Sequence, residues 1–166
     1  DEAALARTRN DIYPSRYGKW DDSIQLCLSE DAPRGGFDII FIGTPPDIHM
    51  ELAIEAIEEN PAAILIEKPL CTPYLERADE LVAKAAEKGI KVFVGYDHVV
   101  GMASDKVDDV LEREDFGAIE TIDVEFREHW GGIFAAHSWL AGPQDSYLGY
   151  WERGGGASGE HSHAIN

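Results

Sequence analysis

Two groups of side chains in this sequence could take part in chemistry. The first is Lys68, which stands in the tripeptide Glu67-Lys68-Pro69 at the end of an apolar run. The second is a carboxylate and imidazole group near the end of the chain, formed by Glu160, His161 and His163. A lysine can polarise an oxygen atom, and a histidine can accept a proton close to neutral pH. These residue types suit proton transfer at a substrate oxygen, although the second group could instead hold zinc.

The elements that must position Lys68 are three short apolar runs. Residues 37–43, 62–67 and 90–95 show almost no polar alternation, which is typical of parallel strands buried on both faces. Polar or turn-forming residues follow each run: Thr44-Pro45-Pro46, Glu67-Lys68-Pro69 and Tyr96-Asp97-His98. Because parallel strands end at the same edge of a sheet, we expect these three segments to converge on one ligand site.

Segments with helical spacing separate these runs. We predict helices over 48–59, from Thr72 and Pro73 to 88, and over 103–114, with two more over 2–12 and 21–30. The alternation of strands and helices indicates an α/β fold with a doubly wound, Rossmann-like parallel sheet.

The pattern of apolar and polar residues changes after Gly117. Residues 119–127 alternate apolar and polar side chains, which predicts a strand with one wet face in a mixed or antiparallel sheet. We therefore expect residues 1–115 to form part of a dinucleotide-binding domain and residues 116–166 to begin an α+β substrate and dimerisation domain. The aromatic-rich residues 128–153 are interpreted as an ordered loop.

A glycine pattern at 154–159 resembles a dinucleotide fingerprint but lies in the wrong context. Gly154, Gly156 and Gly159 spell G-x-G-x-x-G, yet they follow Trp151-Glu152-Arg153 rather than a strand. We expect the true fingerprint to precede Asp1, so the sequence is interpreted as an internal stretch of a longer protein that would not turn over alone.

The charge of the chain excludes some partners. The formal net charge is −18 and the pI is near 4.5, so there is no basic face for nucleic acid. No apolar run approaches the roughly 20 residues of a membrane span. Cys27 and Cys71 form neither a C-x-x-C pair nor a disulfide framework, which favours a reducing, cytoplasmic location.

At Lys68 these observations lead to a family resemblance. Residues 37–49, Glu67-Lys68-Pro69-Leu70 and residues 94–98 resemble, in order and spacing, motifs of the glucose–fructose oxidoreductase and inositol dehydrogenase (Gfo/Idh/MocA) family. Gly154-Gly155-Gly156 and Ser162-His163 resemble its glycine triad and substrate-domain histidine. The resemblance implies hydride transfer between NAD or NADP and a sugar or polyol hydroxyl, in a protein that is commonly a homo-oligomer.

The resemblance also implies roles for individual residues. Lys68 and His163 would be catalytic, and Glu160 would replace an acid that the family has four residues before the histidine, where this chain has Gly159. Asp97 and His98 stand where the family has Asn and Arg. No metal ligand is implied. The residues expected to contact the cofactor are Thr44, Pro45, Pro46, His49, Glu67, Lys68, Pro69 and Asp97.

Two alternatives remain open. The departures at Asp97 and Gly159 are compatible with a non-catalytic relative that binds cofactor or sugar as a sensor. The group Glu160, His161 and His163 is compatible with a metal-dependent hydrolase or isomerase. Taken alone, His49 is interpreted as a structural cap or helix-face residue rather than as a ligand, and His98 could serve packing as well as a site.

Overall fold

A computed structural model describes residues 1–113, 117–125, 127 and 129–161. The chain divides into two compact units, residues 1–35 and residues 36–166. The predicted domain boundary at residues 115–116 falls outside the described residues and stays a prediction. No helix among the described residues is long and apolar enough to cross a membrane.

The first unit is mainly helical. Helix α1 (Glu2–Arg7) continues through a π-helical turn (Thr8–Ile12) into α2 (Tyr13–Tyr17). The predicted stop before Pro14 is therefore wrong. Pro14 lies at the second position of α2, directly after the π-helical turn, where the helical hydrogen-bond pattern already changes.

The predicted helix over residues 21–30 is also wrong. Only a short 3-10 helix, Ser29–Asp31, forms in this stretch. The carboxylate of Asp21 accepts hydrogen bonds from the backbone N–H and the hydroxyl of Ser23, at 2.9 and 2.7 Å. Such local bonds compete with the helical pattern, so the residue expected to cap a helix instead stabilises a turn.

The second unit contains a three-stranded parallel sheet, which confirms the predicted parallel arrangement of the three strands. Strands β1 (Ile39–Ile42), β2 (Ala63–Glu67) and β3 (Lys91–Gly95) lie in the order β1-β2-β3. The register pairs Ile42 with Ile66 and Glu67 with Gly95. Because the three strands are parallel, their carboxyl ends lie on one edge of the sheet.

The crossover helices cover one face of this sheet. A 3-10 turn (Pro46–Ile48) leads into α3 (His49–Glu58), and α4 (Ala78–Lys88) follows β2. The core between sheet and helices is formed by buried apolar side chains, chiefly Ile42, Ala53, Ile54, Ile57, Ile64, Ile66, Leu81 and Ala85. The opposite face remains open among the described residues: Phe41 is 68% exposed and Phe93 is 52% exposed. The expectation that these strands are buried on both faces is therefore wrong here, because α3 and α4 pack on the same side.

Helix α4 begins later than predicted. Thr72 and Pro73 lie in turns, and the helix starts only at Ala78. Leu75 and Arg77 have positive φ values of 54° and 61°, which interrupt any helical path from Pro73. The backbone N–H of Leu75 instead donates to the Thr72 carbonyl oxygen in a turn.

The rest of the unit is built from short helical segments. A 3-10 helix (Asp97–Val100) leads from β3 into α5 (Met102–Leu111). Helix α6 (Gly131–Ala136) and α7 (Gly156–His161) flank three 3-10 helices. These are Pro143–Asp145, Tyr147–Gly149 and Trp151–Arg153. The ordered loop predicted for 128–153 therefore consists largely of single helical turns.

The strand predicted over residues 119–127 does not form in the described part of that stretch, residues 119–125 and 127. A strand needs a neighbour to bind its backbone N–H and C=O groups. The only sheet among the described residues is the parallel one, and β1 and β3 form its edges without this segment.

Candidate active site

A large pocket lies within the second unit, at the carboxyl edge of the sheet. It has a volume of about 710 Å³, within the usual range for sites that bind small molecules and cofactors. One wall comes from the ends of β1 and β2, and the other comes from residues 133–160. Its lining includes five of the residues predicted from sequence, namely Thr44, Pro45, Glu67, Lys68 and Glu160.

Lys68 and Glu160 meet in this pocket although 92 positions separate them in the sequence. The ammonium group of Lys68 donates to Glu160 Oε1 at 2.6 Å and to the Glu160 carbonyl oxygen at 3.3 Å. Their side chains are only 19% and 12% exposed. The pair is therefore a largely desolvated ion pair with a defined geometry, unlike the exposed ion pairs elsewhere on the surface.

Tyr147 completes this group and was not predicted from the sequence. Its hydroxyl donates to the second carboxylate oxygen of Glu160 at 3.0 Å. Burial raises the pKa of Tyr147 well above its ordinary value, and the charges of Glu160 and Glu67 raise this pKa further. The phenol therefore stays protonated and acts as a hydrogen-bond donor to the carboxylate.

The glycine triad lets the two walls approach each other. At Gly154, which has φ +91°, an added Cβ would lie 2.9 Å from Pro46 Cβ and 3.3 Å from Pro69 Cγ. At Gly155 it would overlap the Tyr147 carbonyl group. The triad follows a 3-10 helix and not a strand, so the structural context agrees that this glycine pattern is not a dinucleotide fingerprint.

Gly159 explains why the acid stands at position 160. A Cβ at Gly159, within α7, would overlap the carbonyl oxygen of Gly154, which precedes this helix. A longer side chain cannot be accommodated there without a shift of the backbone. The neighbouring position, Glu160, directs its carboxylate to Lys68.

His49, Pro46 and Pro69 lie behind the pocket wall. His49 is fully buried, with Nε2 2.7 Å from the Thr44 carbonyl oxygen and Nδ1 3.0 Å from the Pro69 carbonyl oxygen. Its ring thus joins the segment after β1 to the segment after β2. The Lys68–Pro69 peptide bond is cis. These residues support the site from behind and do not line it.

The remaining predicted residues are placed as follows. Glu67 Oε2 accepts a hydrogen bond from the backbone N–H of Lys68 at 2.8 Å. Asp97 follows β3 on the same sheet edge, with its side chain 77% exposed and 4.0 Å from His98 Nε2, but it does not line the pocket. His163 lies outside the described residues. Among those that are described, no group of three or more His, Cys, Asp or Glu side chains is arranged to hold a metal ion.

Several lining residues carried no sequence signal that we recognised. His137, Trp139 and Arg153 belong to the predicted loop and form part of the second wall. Arg153 Nε donates to Asp47 Oδ2 at 2.6 Å, so both cations that line the pocket, Lys68 and Arg153, are paired with carboxylates. The aromatic content of residues 130–151 was the only available indication of this wall.

Comparisons with known proteins agree with this geometry. The model of the Gfo/Idh/MocA oxidoreductase family, whose members have an NAD-binding Rossmann fold, matches residues 14–96, half of the 166-residue chain. A comparison with curated protein sequences gave no significant match.

Similar solved structures include one that shows the same fold. A Klebsiella pneumoniae protein assigned as an oxidoreductase is 22% identical over 71% of this chain, with a TM-score of 0.53. GenD2 from gentamicin A biosynthesis, in complex with NAD, is 22% identical over 61% of the chain, with a TM-score of 0.47. Biliverdin reductase from Synechocystis sp. PCC 6803, in complex with biliverdin and NADP+, is 21% identical over 68%, with a TM-score of 0.45.

The chain spans only part of each of these proteins, at 31%, 28% and 33% of their lengths. The family match nevertheless includes β1, β2 and β3 with the Glu67-Lys68-Pro69 segment between them. It confirms the predicted family, fold class and nicotinamide cofactor class. The chain belongs to the Gfo/Idh/MocA family of oxidoreductases with an NAD-binding Rossmann fold.

Proposed function

We propose that the protein containing this chain transfers a hydride between NAD or NADP and a sugar or polyol hydroxyl. The observation that supports this most strongly is the position of Lys68. It ends β2 at the carboxyl edge of the sheet, in a pocket of about 710 Å³, with its ammonium group 2.6 Å from Glu160 Oε1. Ligands in parallel α/β folds bind at this edge.

The residues present fit a nicotinamide cofactor. The edge offers small or compact residues at Gly43, Thr44 and Pro45, so a planar ring can approach the backbone closely. The Thr44 hydroxyl is buried and has no hydrogen-bond partner within the described part of the chain. A buried polar atom without a partner is unfavourable, so a cofactor amide or hydroxyl that binds Thr44 would satisfy it.

A bound nicotinamide, held by Thr44, Pro45, Glu67 and Lys68, would supply the acceptor for a hydride from the carbinol carbon of the substrate, and the hydroxyl proton would pass to a base. In our proposal Lys68 donates a hydrogen bond to that hydroxyl oxygen and stabilises negative charge on it. Glu160 fixes the ammonium group by accepting two of its hydrogen bonds, one at the carboxylate and one at the main chain. His163, which was predicted from the sequence to take the proton, stays in that role as a proposal.

The proposed cofactor contacts follow from the same edge. Thr44, Pro45, Glu67 and Lys68 would contact the cofactor directly because they line the pocket. Pro46, His49 and Pro69 would support those contacts from behind, and Asp97 would reach the cofactor from the end of β3.

The remaining features of the whole protein are also proposals. We propose a cytoplasmic homo-oligomer in which residues 116–166 begin the substrate domain. Both cysteines are free thiols, which is compatible with a reducing compartment.

The test uses the full-length protein with NAD+ and NADP+ and a panel of sugars, polyols and simple hydroxy acids. We expect reduced cofactor to accumulate with at least one sugar or polyol, and Lys68→Ala to abolish the signal. Lys84→Ala is the matched control because Lys84 is also ion-paired, to Glu58 at 3.1 Å, but is partly exposed and does not line the pocket. Cofactor binding without turnover of any alcohol would favour the sensor hypothesis.

A metal-dependent hydrolase is the alternative function that the Glu160, His161 and His163 group suggested. Both carboxylate oxygens of Glu160 already accept hydrogen bonds, from Lys68 and Tyr147, which does not favour a metal ion there. Stoichiometric zinc in the purified protein, lost in His161→Ala, would contradict the proposed function.

A further inference from the structure

We infer that Tyr147 is a positioning residue for Lys68 and that it acts through the Glu160 carboxylate. The inference rests on the proposed function for its kinetic consequence, but its geometric part can be tested without turnover. The contacts that support it are the two hydrogen bonds on opposite oxygens of one carboxylate.

Glu160 is held from both sides. Its Oε1 accepts from Lys68 Nζ at 2.6 Å, and its Oε2 accepts from the Tyr147 hydroxyl at 3.0 Å. A carboxylate bound at only one oxygen can rotate about its terminal torsion, which is a broad and soft one. The second bond, from Tyr147, fixes that torsion and therefore fixes where the ammonium group of Lys68 lies.

Tyr147 is itself held by the segment around it. The preceding Ser146 accepts a hydrogen bond from the backbone N–H of Leu148 at its side-chain oxygen, at 3.2 Å. Leu148 is 6% exposed and anchors the 3-10 helix Tyr147–Gly149. The Tyr147 carbonyl oxygen accepts from the backbone N–H of Tyr150 at 2.9 Å and faces Gly155, where no Cβ would fit.

This arrangement assigns a role to the Gly155 position as well. Since a side chain at Gly155 would displace Tyr147, the glycine allows the tyrosine main chain to lie where its hydroxyl reaches Glu160. The chain of contacts therefore runs from Gly155 to Tyr147, then to Glu160, and then to Lys68. None of these residues except Lys68 needs to touch the substrate.

Because the phenol of Tyr147 stays protonated, it can act as a hydrogen-bond donor but not as a general base. Burial raises the pKa of Tyr147, so its hydroxyl keeps its proton at any pH at which the protein would be assayed. A phenol that cannot lose its proton does not remove the proton of a substrate hydroxyl. The donor role toward Glu160 is what remains.

The first test measures Lys68 directly. In the full-length protein without added substrate, the rate at which an amine-reactive reagent labels Lys68 is followed by mass spectrometry. Tyr147→Phe keeps the ring and removes only the hydroxyl. In this variant the reagent should label Lys68 several-fold faster than in the wild type, because Glu160 no longer holds the ammonium group in one place. In Glu160→Gln the labelling rate of Lys68 should be higher still. The double variant, Tyr147→Phe with Glu160→Gln, should have the same labelling rate as Glu160→Gln alone.

Tyr150→Phe is the matched control. Tyr150 lies in the same segment, and its hydroxyl also donates a hydrogen bond, to the Gln144 carbonyl oxygen at 3.3 Å, but it does not line the pocket. Its removal should leave the labelling rate of Lys68 unchanged. Labelling of Tyr147→Phe at the wild-type rate, or an equal acceleration in the Glu160→Gln background, would overturn the inference.

The second test uses turnover. Loss of a hydrogen bond to a charged group should lower kcat about tenfold in Tyr147→Phe, with KM for the polyol changed less than about twofold. A raised KM with unchanged kcat would mean that Tyr147 binds substrate directly, which would overturn the positioning role. If the wild-type protein oxidises no alcohol while the labelling results hold, the proposed function fails and the geometric inference stands.

Discussion

Arg153 and Asp47 form an ion pair across 106 positions of the chain, with Arg153 Nε donating to Asp47 Oδ2 at 2.6 Å. Asp47 lies in the turn after β1, and Arg153 directly precedes Gly154. The pair therefore ties the segment that contains the glycine triad to the edge of the sheet. Arg153 also lines the pocket, so the same contact orients a cation at its wall.

We expect this pair to contribute little stability. The two side chains are 42% and 29% exposed, and partly exposed pairs are typically worth about 0.2–1 kcal/mol. A double-mutant cycle with Asp47→Ala and Arg153→Ala, read by urea unfolding, should give a coupling energy in this range that shrinks in molar salt. A coupling energy above about 2 kcal/mol that salt does not reduce would show that the pair is effectively buried.

Gly155→Ala should disrupt the site more than any other glycine change. The new Cβ would overlap the Tyr147 carbonyl group, so the 3-10 helix Tyr147–Gly149 must shift. We expect destabilisation of about 1–3 kcal/mol together with loss of most activity. Gly132→Ala, within α6, is the control because nothing lies within 4 Å of its added Cβ. Wild-type activity in Gly155→Ala would mean that the close approach of the two segments is not required.

His49→Ala should destabilise the fold without removing a pocket-lining group. The ring is fully buried between the carbonyl oxygens of Thr44 and Pro69, and its loss leaves both without that partner and leaves a cavity. We expect the free energy of unfolding to fall by about 2–4 kcal/mol. His98→Ala, at a side chain 55% exposed, should change it by less than about 0.5 kcal/mol. Equal effects of the two changes would contradict the structural role of His49.

Stability at alkaline pH should report on Tyr147. Burial, then the charge of Glu160, raises the pKa of its hydroxyl above the ordinary value of 10.0. Stability from a group with a raised folded-state pKa is complete below the unfolded pKa and is lost as the pH rises towards the folded one. The stability advantage of the wild type over Tyr147→Phe should therefore shrink between about pH 9 and pH 11. Urea unfolding across this range, with Tyr150→Phe as a control, measures it, and a constant difference would contradict the assignment.

The sequence was sufficient for the sheet and for one wall of the site. Apolar runs with β-branched residues predicted β1, β2 and β3 to within two residues, because buried parallel strands have a composition that few other elements share. Their shared carboxyl edge then followed from topology, and with it the position of Lys68. Glu160 was found through the resemblance of its neighbourhood, and its contact with Lys68 needed the structure.

The second wall could not be predicted. Tyr147 and Arg153 lie on 3-10 helices of three residues, and His137 and Trp139 lie after α6 and outside any helix. Such short segments have no hydrophobic periodicity from which they could be predicted. Local hydrogen bonds and positive φ values also changed elements that propensity alone predicted, as at Asp21 and at Leu75. A segment such as 119–125 alternates like a strand, yet alternation cannot supply the neighbouring strand that it would need.

The dependence of hydride transfer on Lys68 is the central element of the proposed function. Its most direct test is single-turnover cofactor reduction by the full-length protein with its best alcohol substrate at saturating NAD+ or NADP+. We predict that Lys68→Ala lowers the rate of cofactor reduction by about 100-fold or more, while Lys84→Ala leaves it unchanged. A Lys68→Ala rate within about threefold of wild type would contradict the claim.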